Sequence, residues 1–430
     1  MRLSTIITTA KKLLFISLCI VAPCTSMAFN NITRIVVFGD SLSDNGNDFL
    51  LSTRIHKVKS DVPIVPAPDL YWNGRFSDGP VWVEYIAGMT HFLPQQRDAN
   101  VRKNSQFIDQ AYGGAWAETT SPSDDPNHPE DINRHLFPMP LGAQVDDFLY
   151  NYHENAPTDK QAIDHDLFFI WTGGNDYLNH DMNSPPKARP PEQASDLVIA
   201  AIKKNILKLI NQGGKHFVLL GLPDLSRIPD IILRDPQRRS LAPKIQAASR
   251  LHNEKLQGLI SQLQRQYPRA QFTFIPIDPL FNQEFNLAQE RRKQYKRKHP
   301  HLGQHVSAPC ILLANDPDPT QIYPHHRSAG IASHTHDRSH PYRYCDLHRP
   351  EDQASAYTYS EDYTAGGTFF DHIHPLAPLH ARVALHTCKA LRRNGYTFTA
   401  SDGHTRKLEC EQYSVDSLIQ SIVDPAFPKQ

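Results

Sequence analysis

The segment VVFGDSLSDNGN, residues 36–47, leaves an apolar run through Gly39 and presents Ser41 among Asp, Asn and Gly. Residues of this kind favour tight turns, and a turn directly after a buried strand can push a hydroxyl out of the backbone envelope. Far along the chain, FFDHIHP sets Asp371 and His374 three positions apart, so one loop can supply a base and the carboxylate that orients it. Two glycine turns, AYGGAW at 111–116 and TGGNDY at 172–177, can supply a backbone N–H and an amide side chain. Acyl transfer through a serine needs a nucleophile, a base, an orienting group and donors aimed at the developing oxyanion. Each part is common by itself: such a serine is usually a turn or cap residue, and Asp-x-x-His is usually a surface pair. Together in one chain they point to ester chemistry.

The elements that must position these groups read as buried strands and amphipathic helices. RIVVF (34–38), LFFIW (167–171), HFVLL (216–220) and QFTFI (271–275) are short, apolar and rich in β-branched or aromatic residues. Ile199, Ile202, Ile206, Leu209 and Ile210 recur at helical spacing, predicting a helix capped by Ser195 and ended by Gly213 and Gly214. Further helices are expected over 243–266 and 377–392. This alternation predicts an α/β fold with a parallel sheet covered on both faces. In such sheets the functional crevice lies beyond the carboxyl ends of the strands. Ser41 follows the first strand by three residues and Asn175 follows a later one by four.

From about residue 289 to 350 the pattern breaks into a basic run (Arg291, Arg292, Lys293, Lys296, Arg297, Lys298), prolines and many histidines, the pattern of a long surface insertion. His334, His336 and His340 form a candidate metal cluster, weighed against a solvated loop; ester chemistry of this type needs no metal and no cofactor. The basic run is either a solvated face or a contact for anionic head groups.

Lys plus Arg equals Asp plus Glu at 45 each in 430 residues, so no overall field points to nucleic acid or to an anionic surface, and no nucleic-acid partner is expected. At the N-terminus, Lys11 and Lys12 precede an apolar core, Leu13 to Ala22, and Ser26-Met27-Ala28 offers a small-x-small cleavage site. Residues 1–28 are therefore expected to be a secretion signal, residues 29–430 a single exported domain, and the product extracellular or periplasmic. The four cysteines beyond the signal, Cys310, Cys345, Cys388 and Cys410, read as two disulfides in an oxidising compartment. Chain order favours Cys310 with Cys345 and Cys388 with Cys410, among three pairings.

With these blocks in hand, the sequence resembles the GDSL or SGNH hydrolases. Gly39-Asp40-Ser41-Leu42-Ser43 matches the first block of that family, Gly114 the oxyanion glycine of the second (with Gly113 as the alternative by one position), Gly173-Gly174-Asn175-Asp176 the third and Asp371-His372-Ile373-His374 the last. NGRFSDGPVWVEYIA (73–87) and LHNEKL (251–256) also match stretches of a long-chain subgroup, while Trp116, Phe370 and Pro375-Leu376 depart from it next to the blocks. The resemblance implies a flavodoxin-like three-layer sandwich with a central parallel sheet and a long disulfide-closed insertion. It also implies Ser41 as nucleophile, His374 as base, Asp371 as its orienting group, and an oxyanion hole from Ser41 N–H, Gly114 N–H and Asn175. Within the family, bacterial secreted phospholipases and glycerophospholipid:cholesterol acyltransferases are most similar. The resemblance thus implies phospholipid and sterol substrates at membrane surfaces and an activating protease acting on the 310–345 loop. A carbohydrate acetyl esterase of the same family and a non-catalytic binding module are the alternatives.

Overall fold

The strand that precedes Ser41 is apolar and buried at every position, and the rest of the sheet is built outward from it. The computed structural model describes residues 30–68, 71–92, 106–117, 139–154, 163–178, 189–235, 237–298, 311–312, 342–343, 368–371 and 373–421. The expected signal (1–28), Cys310, Cys345 and the histidines at 334, 336 and 340 lie outside the described residues.

In chain order the elements begin β1 (Asn30–Ile32), β2 (Arg34–Gly39), α1 (Asn47–Val58), α2 (Trp82–Met89), β3 (Phe107–Asp109), α3 (Leu141–Glu154), β4 (Asp166–Trp171) and α4 (Gly174–Leu178). They continue through α5 (Pro191–Asn211), β5 (His216–Leu220), α6 (Pro229–Arg234), α7 (Leu241–Gln266), β6 (Gln271–Ile275) and α8 (Asp278–Lys298). The last are β7 (Ile311–Leu312), β8 (Tyr342–Arg343), α9 (Ala377–Arg393), β9 (Tyr396–Thr399), β10 (Thr405–Lys407) and α10 (Val415–Ser421).

Five strands pair in parallel in the order β3-β2-β4-β5-β6. One face carries a line of phenylalanine rings: Phe38 stacks on Phe168 at 6.3 Å, Phe168 on Phe217 at 5.4 Å and Phe217 on Phe272 at 5.1 Å. Each such pair adds about 1 kcal/mol beyond area burial. Alternate residues point to the other face, where Phe169 and Trp171 meet Trp82 of α2. α3, α5 and α7 cover the first face, and α2 with α9 covers the second, giving the expected three-layer α/β sandwich. The chain starts in mid-sheet at β2, winds outward to β3, then returns to β4 and beyond. Its winding therefore reverses between β2 and β4, which opens a crevice at their carboxyl ends.

Several expectations change. The helix assigned a Ser195 cap begins earlier, with Pro190 as cap and Pro191 in its first turn; Ser195 lies buried inside it and donates to Glu192 O at 2.9 Å. The helix expected from 243 begins at Leu241, where the Asp235 carboxylate accepts N–H groups of Arg239, Ser240, Leu241 and Ala242 at 2.9–3.1 Å. The stretch read as an insertion from 289 is still helical to Lys298, so the basic run lies on α8. β3 was not foreseen, and neither was a small second sheet of β1, β9 and β10. A disulfide joins Cys388 to Cys410, both fully buried, and ties α9 to the segment before α10.

Candidate active site

The turn after β2 is built around Gly39 and Asp40. Gly39 pairs with Trp171 across β2 and β4 so closely that a Cβ there would sit 2.6 Å from the Trp171 carbonyl oxygen. Buried Gln144 grips the same peptide from both sides: its Oε1 accepts Gly39 N–H at 3.0 Å and its Nε2 donates to Gly39 O at 2.8 Å. The Asp40 carbonyl then accepts N–H groups of Ser43 (2.9 Å) and Asp44 (3.0 Å), and its side chain accepts Leu42 N–H at 3.1 Å. Burial pushes the Asp40 carboxyl up to about 6, opposed chiefly by the Leu42 N–H. Ser41 sits at the crest of this tight turn.

Asp371 and His374 lie on a loop closed upon itself: Phe370 N–H donates to His374 O at 2.7 Å, and Leu376 N–H to Thr368 O at 3.1 Å. One Asp371 oxygen accepts N–H groups of Ile373 (2.7 Å) and His374 (2.6 Å). The other stands 2.7 Å from His374 Nδ1, and His374 Nε2 stands 2.7 Å from Ser41 Oγ. Facing an acceptor-only carboxylate, Nδ1 carries the hydrogen, so Nε2 is the lone-pair nitrogen that accepts from the Ser41 hydroxyl. The structure thus joins residues 41, 374 and 371 in one hydrogen-bonded line.

The segment containing NGRFSDG explains its place in the chain by what it holds. Asp78 accepts Ala377 N–H at 2.7 Å at the start of α9, and Ser77 Oγ donates to Pro375 O at 3.2 Å. Trp82 N–H donates to Nδ1 of buried His380 at 3.3 Å, and burial drives that imidazole down to about 3. The ring of Phe76 lies 5.1 Å from that of His374. Just before it, Tyr71 OH donates at 2.6 Å to the Asp371 oxygen that faces His374. A buried Arg75–Glu84 ion pair at 2.5 Å locks the segment.

Two further loops meet beside Ser41's turn. After β3, Tyr112 N–H donates to Gly39 O at 3.3 Å, and Gly113 N–H to Asp44 Oδ2 at 3.0 Å. Gly113's N–H is therefore spent inside the fold, which removes it as the alternative oxyanion donor. Gly114, at φ 73°, has an N–H that no described group accepts. Asn175, at the start of α4, donates one amide hydrogen to Ala115 O at 3.0 Å and retains a second. Asp176 accepts Ala117 N–H at 2.9 Å, joining the loops a second time. LHNEKL proves to be scaffolding: Asn253 bonds both N–H and O of Leu222 at 2.7 and 2.8 Å, and Tyr177 OH lies 3.0 Å from His252 Nδ1.

A cavity of about 1000 Å³ lies elsewhere on the sheet rim, beyond β5 and β6, lined by Arg227, Arg238, Asp278 and Phe285 among others. None of residues 41, 371 and 374 lines it. Tyr71, Gln144 and Asp44 are the site residues that sequence reasoning did not find. Asp44 lies inside the 36–47 segment itself, and the stretch 73–87 begins just after Tyr71.

A serine hydroxyl, an imidazole and a carboxylate in line at the reversal point of a parallel sheet are the arrangement of a serine acyl hydrolase. The profile of the GDSL-like lipase/acylhydrolase family matches residues 35–387, and the chain belongs to that family. It is 31% identical over 253 residues to a phosphatidylcholine-sterol acyltransferase of Aeromonas hydrophila, a match covering 58% of this chain and 59% of that protein. It is 29% identical over 204 residues to the thermolabile hemolysin of Vibrio parahaemolyticus, covering 47% of this chain and 37% of the other. A GDSL esterase/lipase of Arabidopsis thaliana is 26% identical over 259 residues, 57% of this chain and 68% of its own.

Proposed function

We propose that the protein is an exported lipid esterase that takes an acyl group from a glycerophospholipid onto Ser41 and passes it to water or to cholesterol. The observation that carries this is the pair of 2.7 Å contacts from the His374 ring, one to Ser41 and one to Asp371. Similarity to the Aeromonas protein supports the lipid and sterol substrates.

In the first half-reaction, Ser41 Oγ bonds to the ester carbonyl carbon while His374 Nε2 takes its proton, and Asp371 stabilises the imidazolium through Nδ1–H. The oxyanion is held by Ser41 N–H, Gly114 N–H and the second amide hydrogen of Asn175; one lost donor of this type costs about 100- to 1000-fold in rate. The ester C–O bond then breaks, and the lysophospholipid oxygen leaves with the proton from His374. In the second half, water or the sterol hydroxyl gives its proton to His374 and attacks the acyl carbon; the bond to Ser41 Oγ then breaks as His374 Nε2 returns that proton to Oγ.

Export is supported by the sequence of residues 11–28 and by the buried Cys388–Cys410 bond. β7 and β8 pair antiparallel, which sets residues 312 and 342, the two ends of the stretch between them, side by side. A protease nicking that stretch is the proposed activator. The test is to incubate the protein, before and after protease treatment, with phosphatidylcholine–cholesterol vesicles and identify products beside Ser41→Ala. Fatty acid or cholesteryl ester from the wild type alone supports the proposal. Release of acetate from acetylated xylan with no action on phospholipid would redirect it to carbohydrate esters.

A further inference from the structure

Asp44, three residues past Ser41, is buried, yet its carboxylate takes no part in the relay. It accepts four backbone N–H groups. Oδ1 takes Gly46 (2.7 Å) and Asn47 (2.6 Å) at the start of α1. Oδ2 takes Asp48 (3.2 Å) and, from the distant loop after β3, Gly113 (3.0 Å). The loop lies backbone-down on this carboxylate because no side chain would fit: a Cβ on Gly113 would come within 2.2 Å of the Phe76 ring and 2.5 Å of Asp48 Oδ2.

We propose that Asp44 is a positioning residue for acyl transfer, its carboxylate being the joint that sets the Gly113–Gly114 loop, and with it the Gly114 N–H, against the turn bearing Ser41. This rests on the ester-transfer function above. Capping α1 does not require a charge, since Asn caps as well as Asp. A fourth N–H drawn from another loop does benefit from one, because bonds to an ionised acceptor are roughly twice as strong as neutral ones.

The surroundings leave that charge on Asp44. Asp48, Asp109 and Tyr112 are the titratable groups that feel its charge, and Glu84 and Arg75 stand beside Asp109. Burial, then the charge of Asp44, pushes Asp48 up to about 9, so Asp48 holds a proton at neutral pH. Burial raises Asp109 well above the usual carboxylate range and Asp44 to about 6. At pH 7.5 Asp44 is ionised while Asp48 keeps its proton.

Asp44→Asn separates the two roles. The amide oxygen can keep the two short bonds at α1, but the NH₂ then faces Gly113 N–H, donor against donor. The opposite orientation gives up both short bonds. With a soluble p-nitrophenyl ester as probe, kcat of Asp44→Asn is expected to fall about 100-fold with KM within about threefold, since only transition-state contacts are disturbed. Asp48→Asn, which copies the protonated carboxyl and keeps all four bonds on Asp44, is expected within about threefold of wild type in both constants. In the wild type, ¹⁵N-glycine labelling reads the Gly113 amide directly; it is expected downfield, protected from exchange and shifting as Asp44 ionises. An Asp44→Asn enzyme with kcat within threefold of wild type, or a Gly113 amide exchanging like a solvated glycine, overturns the proposal. If Asp44→Asn does not fold, the wild-type amide signal decides. A wild type that forms no acyl adduct on Ser41 overturns the ester-transfer function instead, a distinct outcome.

Discussion

Tyr71 and His374 share one oxygen of Asp371: the phenol donates to it at 2.6 Å and the imidazole Nδ1 stands 2.7 Å from it. The two donors come from distant parts of the chain and converge on that one oxygen. Tyr71 itself is wedged between Phe76 and Phe370, whose ring centroids lie 6.1 and 5.2 Å away. Asp371 is therefore held by four donors, and the imidazole can be held in one tautomer.

Tyr71→Phe keeps the ring and removes only the hydroxyl. A hydrogen bond to a charged group contributes about 1.5–3 kcal/mol, part of which is recovered by the three donors that remain. The expected result is a roughly tenfold fall in kcat at unchanged KM, with stability lower by about 1 kcal/mol. Steady-state kinetics and urea unfolding check both; wild-type kcat would show that the phenol does not act on the relay.

Gln144→Ala takes the acceptor from the buried Gly39 N–H, leaves Gly39 O with only the longer bond from Tyr112 N–H, and removes the donor that reaches the Met139 carbonyl at 2.8 Å. Each unsatisfied buried group costs about 1–3 kcal/mol, so the variant should lose about 3 kcal/mol or more of stability. A urea midpoint equal to wild type would contradict the proposed clamp.

Much of the scaffold was legible because burial imposes patterns on sequence. β2, β4 and β5 carry unbroken apolar runs, β6 carries one interrupted only by Thr273, and α5, α7 and α9 show helical spacing, so their existence and class were readable. β3 has only three residues, too few to alternate, and went unseen. Ser195 looked like a cap because a serine preceded periodic residues, but two prolines upstream had already set the helical φ. Ser41, Asp371 and His374 announce themselves through local turn chemistry. Their supports do not: Tyr71 meets Asp371 across 300 positions, Gln144 meets Gly39 across 105, and Gly113 meets Asp44 across 69. Such contacts exist only once the sheet has closed.

Gly173 sits at φ +107°, and a Cβ there would lie 2.8 Å from Cε1 of buried His252. Gly173→Ala therefore meets backbone strain and a clash together, and should cost about 3 kcal/mol while displacing Asn175. Thermal unfolding should show the loss, and kcat of the folded fraction should fall more than KM rises. An alanine variant as stable as wild type would mean that this turn tolerates a different backbone path.

Asp48 makes stability depend on pH above neutrality. Its carboxyl is pushed up to about 9 in the folded chain, against about 4 when unfolded. Between those values the folded state keeps a proton that the unfolded state has lost, so raising the pH favours unfolding, by about 1 kcal/mol per pH unit from this group. Asp48→Asn should flatten that slope between pH 7 and 9. Urea midpoints over this range decide; parallel slopes for the two proteins would contradict it.

Removing the Cys388–Cys410 bond, which closes a separation of 22 residues, should cost about 3 kcal/mol. Cys388→Ala with Cys410→Ala is expected to unfold at lower urea yet retain kcat at low temperature, because the bond lies at α9's far side from Asp371. An unchanged midpoint would mean that packing alone holds this end.

The central claim is that Ser41 forms a covalent bond with the acyl group, activated by His374. Intact-protein mass spectrometry after reaction with a fluorophosphonate, followed by peptide mapping, tests it most directly. The account predicts one adduct on the peptide containing Ser41, absent in Ser41→Ala and strongly slowed in His374→Ala. An adduct on any other residue, or undiminished ester turnover by Ser41→Ala, would contradict it.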